Sequence, residues 1–129
     1  MRGIRIERLT GVTGALCAML AAVALPAAAQ DPAFGGDELK KAWVDKELTG
    51  RSRAGATFYM SFRTDGSATF SLNNNNDTGV WRATDTGYCA QWQRIREGKE
   101  GCFTVRRSGA SFVVYGEDGI ESGRIHNVR

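Results

Sequence analysis

The chain has 129 residues, a formal net charge of +3 and 24% charged residues. Arg2, Glu7 and two further arginines, Arg5 and Arg8, lie in a segment that we expect to be removed, and without it the net charge falls to +1. Nucleic-acid binding depends on neutralising phosphates, so a nearly neutral remainder argues against a nucleic-acid partner. The roughly 100 remaining residues suit one domain and exclude two.

Residues 1–29 have the three parts of a secretory signal peptide. A basic start is followed by an apolar run at 12–25, by Pro26, and by three alanines at 27–29 that suit a signal peptidase. A membrane anchor is the alternative, but this run is shorter than the ~20 apolar residues that span a bilayer. We therefore predict a cleaved leader, a periplasmic or secreted protein, and no membrane span after cleavage.

The start of the mature chain predicts a flexible segment and then one short helix. Residues 30–36 contain Pro32 and two glycines, which is typical of a mobile lead. Asp37 suits a helix N-cap, and Leu39 and Trp43 form an apolar pair at i and i+4. We expect the helix to end near Asp45 and to open a single domain over residues 37–129.

From residue 46 onward the pattern has a period of two, and turn residues recur at short intervals. Asp65-Gly66, for example, favours a hairpin turn, and the asparagine-rich stretch 73–77 favours a loop. The predicted strands are residues 46–53, 57–62, 67–72 and 78–83, the two arms of residues 88–107, and residues 111–115 and 120–128.

Eight short strands joined by short connections predict an all-β fold. The connections are too short for parallel crossovers, so an up-and-down antiparallel arrangement fits best. Closure into a small eight-stranded barrel of lipocalin or calycin type would remove the exposed edges of an open sheet. A small β-sandwich is the alternative.

Cys89 and Cys102 lie in the two arms of the hairpin at residues 88–107, on either side of a polar turn at 96–101. Antiparallel pairing would bring the two sulfurs to the separation that a disulfide requires. Closing this loop contributes about 3 kcal/mol in the chain-entropy model. A reactive or metal-binding pair of cysteines is the alternative.

Several short signatures follow one another in a fixed order along the mature chain. They are Leu48-Thr49-Gly50, Thr57-Phe58-Tyr59-Met60, Asp65-Gly66, Gly79-Val80-Trp81, Cys89 with Trp92, Cys102-Phe103 and Phe112-Val113-Val114-Tyr115. With them the chain resembles a family of small exported proteobacterial proteins known only as a domain of unknown function. The resemblance covers residues 39–124; it implies a periplasmic location and a single disulfide, and it implies no activity.

In plan the chain also looks like the small calycin-type barrels that inhibit secreted bacterial metalloproteases. Those proteins use an N-terminal segment as a plug for the protease, and residues 30–36 could be offered in the same way. This is an analogy of architecture, which does not by itself determine function.

The sequence shows no set of residues typical of catalysis, and we predict no catalytic, cofactor-binding or metal-binding site. His126 is the single histidine, whereas catalytic zinc needs about three protein ligands. Four aspartates fall in predicted turns, where aspartate caps its own backbone. They are Asp65, Asp77, Asp85 and Asp118.

Two groups of side chains are candidates for binding. The first is aromatic and could line the mouth of a barrel or simply pack in the core: Trp81, Trp92, Tyr59 and Tyr88. The second is basic and could meet an acidic partner or lipid headgroups, or form a mixed solvated face: Arg94, Arg96, Arg106 and Arg107. We expect a non-enzymatic binding or interaction module, with a metalloprotease inhibitor and a lipocalin-type carrier of a small apolar ligand as alternatives.

Overall fold

A computed structural model describes Gly3 and residues 32–129; apart from Gly3, the predicted leader lies outside the described residues. One helix precedes eight strands, and a short 3-10 helix, η1, separates the fifth and sixth strands. The elements are α1 (Gly36–Trp43), β1 (Glu47–Ser52), β2 (Thr57–Phe62), β3 (Ser67–Leu72), β4 (Asn75–Thr84), β5 (Gly87–Trp92), η1 (Ile95–Gly98), β6 (Glu100–Ser108), β7 (Ser111–Tyr115) and β8 (Glu121–Val128).

The eight strands form a closed barrel in which each strand pairs antiparallel with the next and β8 pairs with β1. The predicted up-and-down barrel is therefore confirmed, and the sandwich alternative is wrong. Within residues 32–129, no helix has the length and apolarity needed to cross a membrane.

The alternation of side chains in β2 and β3 shows how the barrel acquires its core. Phe58, Met60 and Phe62 point inward from β2 and are buried, whereas Tyr59 points outward. Met60 pairs directly with Phe70 of β3, so apolar side chains of adjacent strands meet inside the barrel. Burial of these side chains is the main stabilising contribution to the fold.

Helix α1 closes the end of the barrel at which β4 ends and β5 begins. Leu39 and Trp43 are fully buried, and the Trp43 ring meets Phe112 edge-on at 5.3 Å. The N-cap is Gly35, without a side-chain cap, so the predicted cap at Asp37 is wrong and Asp37 lies in the first turn. The helix starts earlier because Gly35 is pressed against the β4–β5 turn, where the lack of a side chain permits close contact.

The segment ahead of the helix is tied to the barrel. Phe34 is 1% exposed, its N–H donates to the Val105 carbonyl at 2.6 Å, and Ala33 forms a β-bridge with Arg106. The prediction of a flexible lead did not foresee these contacts of residues 33–34. The physical reason is the aromatic ring of Phe34, which fills the space between Trp43 and Phe112 at centroid distances of 5.7 and 4.7 Å.

Strand β4 begins three residues before its predicted start. The predicted loop at 73–77 shrinks to Asn73 and Asn74, both with positive φ, and the next residues pair with β3. Asn75 lies opposite Leu72, and Asp77 lies opposite Phe70. Two positive-φ residues are enough to close a tight hairpin, so ladder hydrogen bonds outweigh the turn preference of the remaining residues.

Candidate functional site

The side chains of β4 to β8, most of them facing outward, surround a groove of about 960 Å³ on the outside of the barrel. We call it the arginine groove, because four arginines from three strands line it. They are Arg82 of β4, Arg106 and Arg107 of β6, and Arg124 of β8. Threonines, Tyr115 and the β7–β8 turn complete its walls.

Strand register determines where the arginines lie. Arg82 is opposite Cys89, which is itself opposite Cys102, so these three residues form one row across β4, β5 and β6. A second row crosses β6, β7 and β8 with Arg106, Val113 and Arg124. Residues from separate strands thus meet on one face because the barrel is antiparallel and the side chains alternate.

The cysteine pair of the first row and Val113 of the second row form the apolar floor of the groove. Cys89 and Cys102 are directly opposite each other, with a Cα–Cα distance of 4.0 Å and an Sγ–Sγ distance of 2.03 Å. The sulfurs are therefore at disulfide distance. The Glu100 carboxylate lies 3.9 Å from Cys102 Sγ, but sulfurs joined in a disulfide do not supply the thiolates that a metal would need.

Acidic side chains are interspersed among the arginines of the groove. Glu100 accepts from Arg82 at 3.0 Å, and this hydrogen bond raises the pKa of the arginine. Glu121 accepts from Arg124 at 2.5 Å. Both pairs are about half exposed, and ion pairs of this kind contribute little to stability. Arg82 and Arg124 therefore add little to the stability of the fold through these two ion pairs.

Glu117, at the rim of the groove, accepts a backbone hydrogen bond from β6. Strand β7 ends opposite Thr104, so among the described residues no strand pairs with β6 residues 100–103 on that side. Glu117 fills part of this gap, because its carboxylate accepts the N–H of Cys102 at 3.1 Å. Its second oxygen lies 3.9 Å from the guanidinium of Arg96.

Arg107 connects the groove with the closed end of the barrel. Its guanidinium lies over the rings of Phe34 and Phe112, at 4.9 and 5.4 Å from their centroids. Such cation–π contacts contribute roughly 0.5–1 kcal/mol at exposed sites. The N-terminal segment is thus held from inside by the core and from outside by this arginine.

The structure separates the four arginines that the sequence grouped together. Arg106 and Arg107 line the groove, whereas Arg94 donates to the Asn76 carbonyl next to η1. Arg96 lies against Gly101 at the rim. Sequence reasoning missed Arg82 and Arg124, and the available signal was their position on the same outward parity as Cys89 and Arg106.

The four candidate aromatic residues do not gather at one mouth. Tyr88 and Trp92 line an interior cavity of about 180 Å³, and burial raises the pKa of the Tyr88 hydroxyl. Trp81 stacks on Phe62 at 4.8 Å, while Tyr59 is 48% exposed on the outer face. Three of them therefore pack in or against the core, and the four residues do not form one binding mouth.

The predicted turn role holds for two of the aspartates and fails for Asp77. Asp65 accepts from the N–H of Ser67 at 2.8 Å, and Asp118 accepts from that of Ile120 at 2.9 Å. Asp77 instead lies in β4 and is 6% exposed. Asp85 lies in the β4–β5 turn and His126 is exposed on β8, as expected of solvated residues.

Asp77 fastens η1 to β4. Its carboxylate accepts the backbone N–H groups of Arg94 at 3.0 Å, Ile95 at 2.9 Å and Thr78 at 2.9 Å. Desolvation opposes its ionisation, but the three N–H donors outweigh that effect and hold the pKa of Asp77 below its ordinary value of 3.8. Asp77 therefore links β4 to the start of η1, 17 residues further along the chain, by hydrogen bonds.

Comparisons of the chain with protein-family models, with curated proteins and with solved structures find no match. The proteobacterial family that the sequence resembles stays a prediction. What the structure adds is the closed barrel, the register of its strands and the groove on its outer face.

Proposed function

We propose that the protein is an exported, non-enzymatic binding module that holds its partner in the arginine groove. The observation that carries this proposal is the contrast between the arginine groove, of about 960 Å³ on the outside of the barrel, and the interior cavity, of about 180 Å³. Binding pockets for small molecules usually measure about 300–1,000 Å³. The arginine groove reaches that range, and the interior cavity does not.

Export is supported by two observations that do not depend on each other. The leader has the pattern of a secretory signal peptide. The cysteines of the mature chain lie at disulfide distance, and disulfides persist mainly outside the reducing cytoplasm. We infer a periplasmic or secreted location from the combination.

The two alternative functions are less well supported. A carrier of lipocalin type needs an interior larger than 180 Å³ for any ligand of ordinary size. An inhibitor that inserted residues 30–36 into a protease would have to withdraw Phe34 from the core and break its bond to Val105. We therefore rank both below binding through the groove.

The test is a binding experiment with the groove reversed in charge. The protein without its leader is immobilised and exposed to periplasmic extract in two forms, as wild type and as the Arg82→Glu/Arg124→Glu variant. Lys40→Glu/Lys41→Glu is the matched control, because both lysines are exposed on α1 and lie outside the groove lining. We expect a partner retained by the wild type and the control and lost by the groove variant. Equal retention by all three would overturn the proposal.

A further inference from the structure

We propose that the occupant of the arginine groove is an acidic polypeptide segment in extended conformation, with carboxylates spaced along the chain and at least one apolar side chain between them. This inference rests on the proposed function and specifies the chemistry of the partner. Three features of the groove carry it: the spacing of its cations, its apolar floor and its interspersed acids.

The spacing of the arginines excludes a single small anion as the complete ligand. Arg106 and Arg124 lie on either side of Val113, two strands apart, so their backbones are separated by about 10 Å. Arg82 belongs to the row of Cys102, which is four residues, or about 13 Å, from Arg106 along β6. Arg82 is a further two strands across from Cys102, so the backbones of Arg82 and Arg106 are roughly 16 Å apart. A ligand that contacts all three cations must be extended and must carry several anionic groups.

The floor between the cations favours a ligand with apolar side chains. Its apolar surface comes from Cys102 and Tyr115, which are partly exposed, and these lie beside the buried Cys89 and Val113. An extended peptide directs alternate side chains to opposite sides and can place an apolar group on this floor while its carboxylates reach the arginines. Arginine also matches carboxylates well, because its planar fork can donate two parallel hydrogen bonds.

The acids of the groove disfavour a uniform polyanion. Glu100, Glu117 and Glu121 lie beside the arginines and would repel a continuous row of phosphates. Nucleic acids bind through many phosphate contacts and need an excess of positive charge, which this mixed surface does not provide. A polypeptide carries discrete charges and uncharged backbone donors, so it can avoid the acids and still reach the arginines.

The probe is a fluorescent eight-residue peptide in which Glu alternates with Leu, measured by anisotropy against the protein without its leader. A Gln-for-Glu peptide and an eight-nucleotide oligothymidine of single-stranded DNA are the comparison ligands. We expect the acidic peptide to bind, the Gln peptide to bind at least tenfold more weakly, and each of Arg82→Glu and Arg124→Glu to weaken binding about tenfold. The Lys40→Glu/Lys41→Glu control should bind like the wild type.

The inference would be overturned by any of three results. The acidic peptide could fail to bind, the oligothymidine could bind as tightly as the peptide, or binding could be unaffected by the two arginine substitutions. Circular dichroism of each variant shows whether its barrel is intact. If a partner from the extract depends on the groove but the acidic peptide does not bind, this inference fails and the proposed function stands; if neither binds, both fail.

Discussion

The sharpest test of the fold is the replacement of Phe34. If Phe34 belonged to a flexible segment, its replacement would leave the free energy of unfolding unchanged, whereas replacement of a core residue would lower it. A buried phenylalanine removes about 150–250 Å² from water, which at about 25 cal/mol per Å² gives an upper limit of roughly 4–6 kcal/mol. The centroid of the Phe34 ring also lies 4.7 Å from that of Phe112 and 4.9 Å from the guanidinium carbon of Arg107. For Phe34→Ala we expect a loss of about 3–5 kcal/mol in the free energy of unfolding.

Urea unfolding followed by tryptophan fluorescence measures this loss, since Trp43 is 5.7 Å from the Phe34 ring. Domains of this size have a total stability of about 5–15 kcal/mol, so the expected loss is a large fraction of the free energy of unfolding and is easily measured. Phe34→Leu should lose only about 1–1.5 kcal/mol. Val80→Ala is the control, because Val80 is 57% exposed and should change stability by less than about 0.5 kcal/mol. A loss below 1 kcal/mol for Phe34→Ala would refute the anchoring of the N-terminal segment.

Three further outcomes follow from the contacts described. The Cys89→Ala/Cys102→Ala variant should lose about 3 kcal/mol in urea unfolding relative to the oxidised protein; an unchanged midpoint would show that no bridge forms. The pKa of Asp77 is lowered, so its stabilising contribution is present above pH 3.8 and is lost as the pH falls below that value. Asp77→Asn should therefore be less stable at neutral pH and show a weaker acid dependence of the urea midpoint, whereas parallel pH profiles would contradict this. Gly35→Ala should lower the melting temperature, because its Cβ would lie 2.6 Å from a backbone nitrogen of β5, while Gly116→Ala, whose Cβ meets a flexible carboxylate, should not; equal shifts would disprove the close packing.

Strands β2 and β3 could be predicted to the residue because strict alternation and turn residues agree at both of their ends, and β7 because its continuous apolar run is bounded by turn residues. The start of β4 could not, since the turn preference of Asn75 and Asp77 does not show that a two-residue turn at 73–74 already allows both to pair with β3. The burial of Phe34 was hidden by the neighbouring glycines and proline, which are typical of mobile segments. The contacts that decide the position of Phe34 are made by residues distant in sequence, Val105 and Phe112.

The candidate site was harder to predict from the sequence than the fold. Cys89 and Cys102 could be paired because they lie in one hairpin. The groove, however, depends on side chains of β4, β6 and β8 that become neighbours only when the register of the whole barrel is known. Arginines close together in sequence, such as Arg94 and Arg106, proved to lie apart.

The gap beside β6 bears on how the molecule behaves at high concentration. An unpaired stretch of strand can recruit a strand from another chain and start aggregation. Here the Glu117 carboxylate occupies the Cys102 N–H that such a strand would need, and the Arg96 side chain lies over the adjacent Gly101. A charged carboxylate and guanidinium thus stand where a neighbouring molecule would have to add on, which disfavours the growth of cross-β fibrils from this seam.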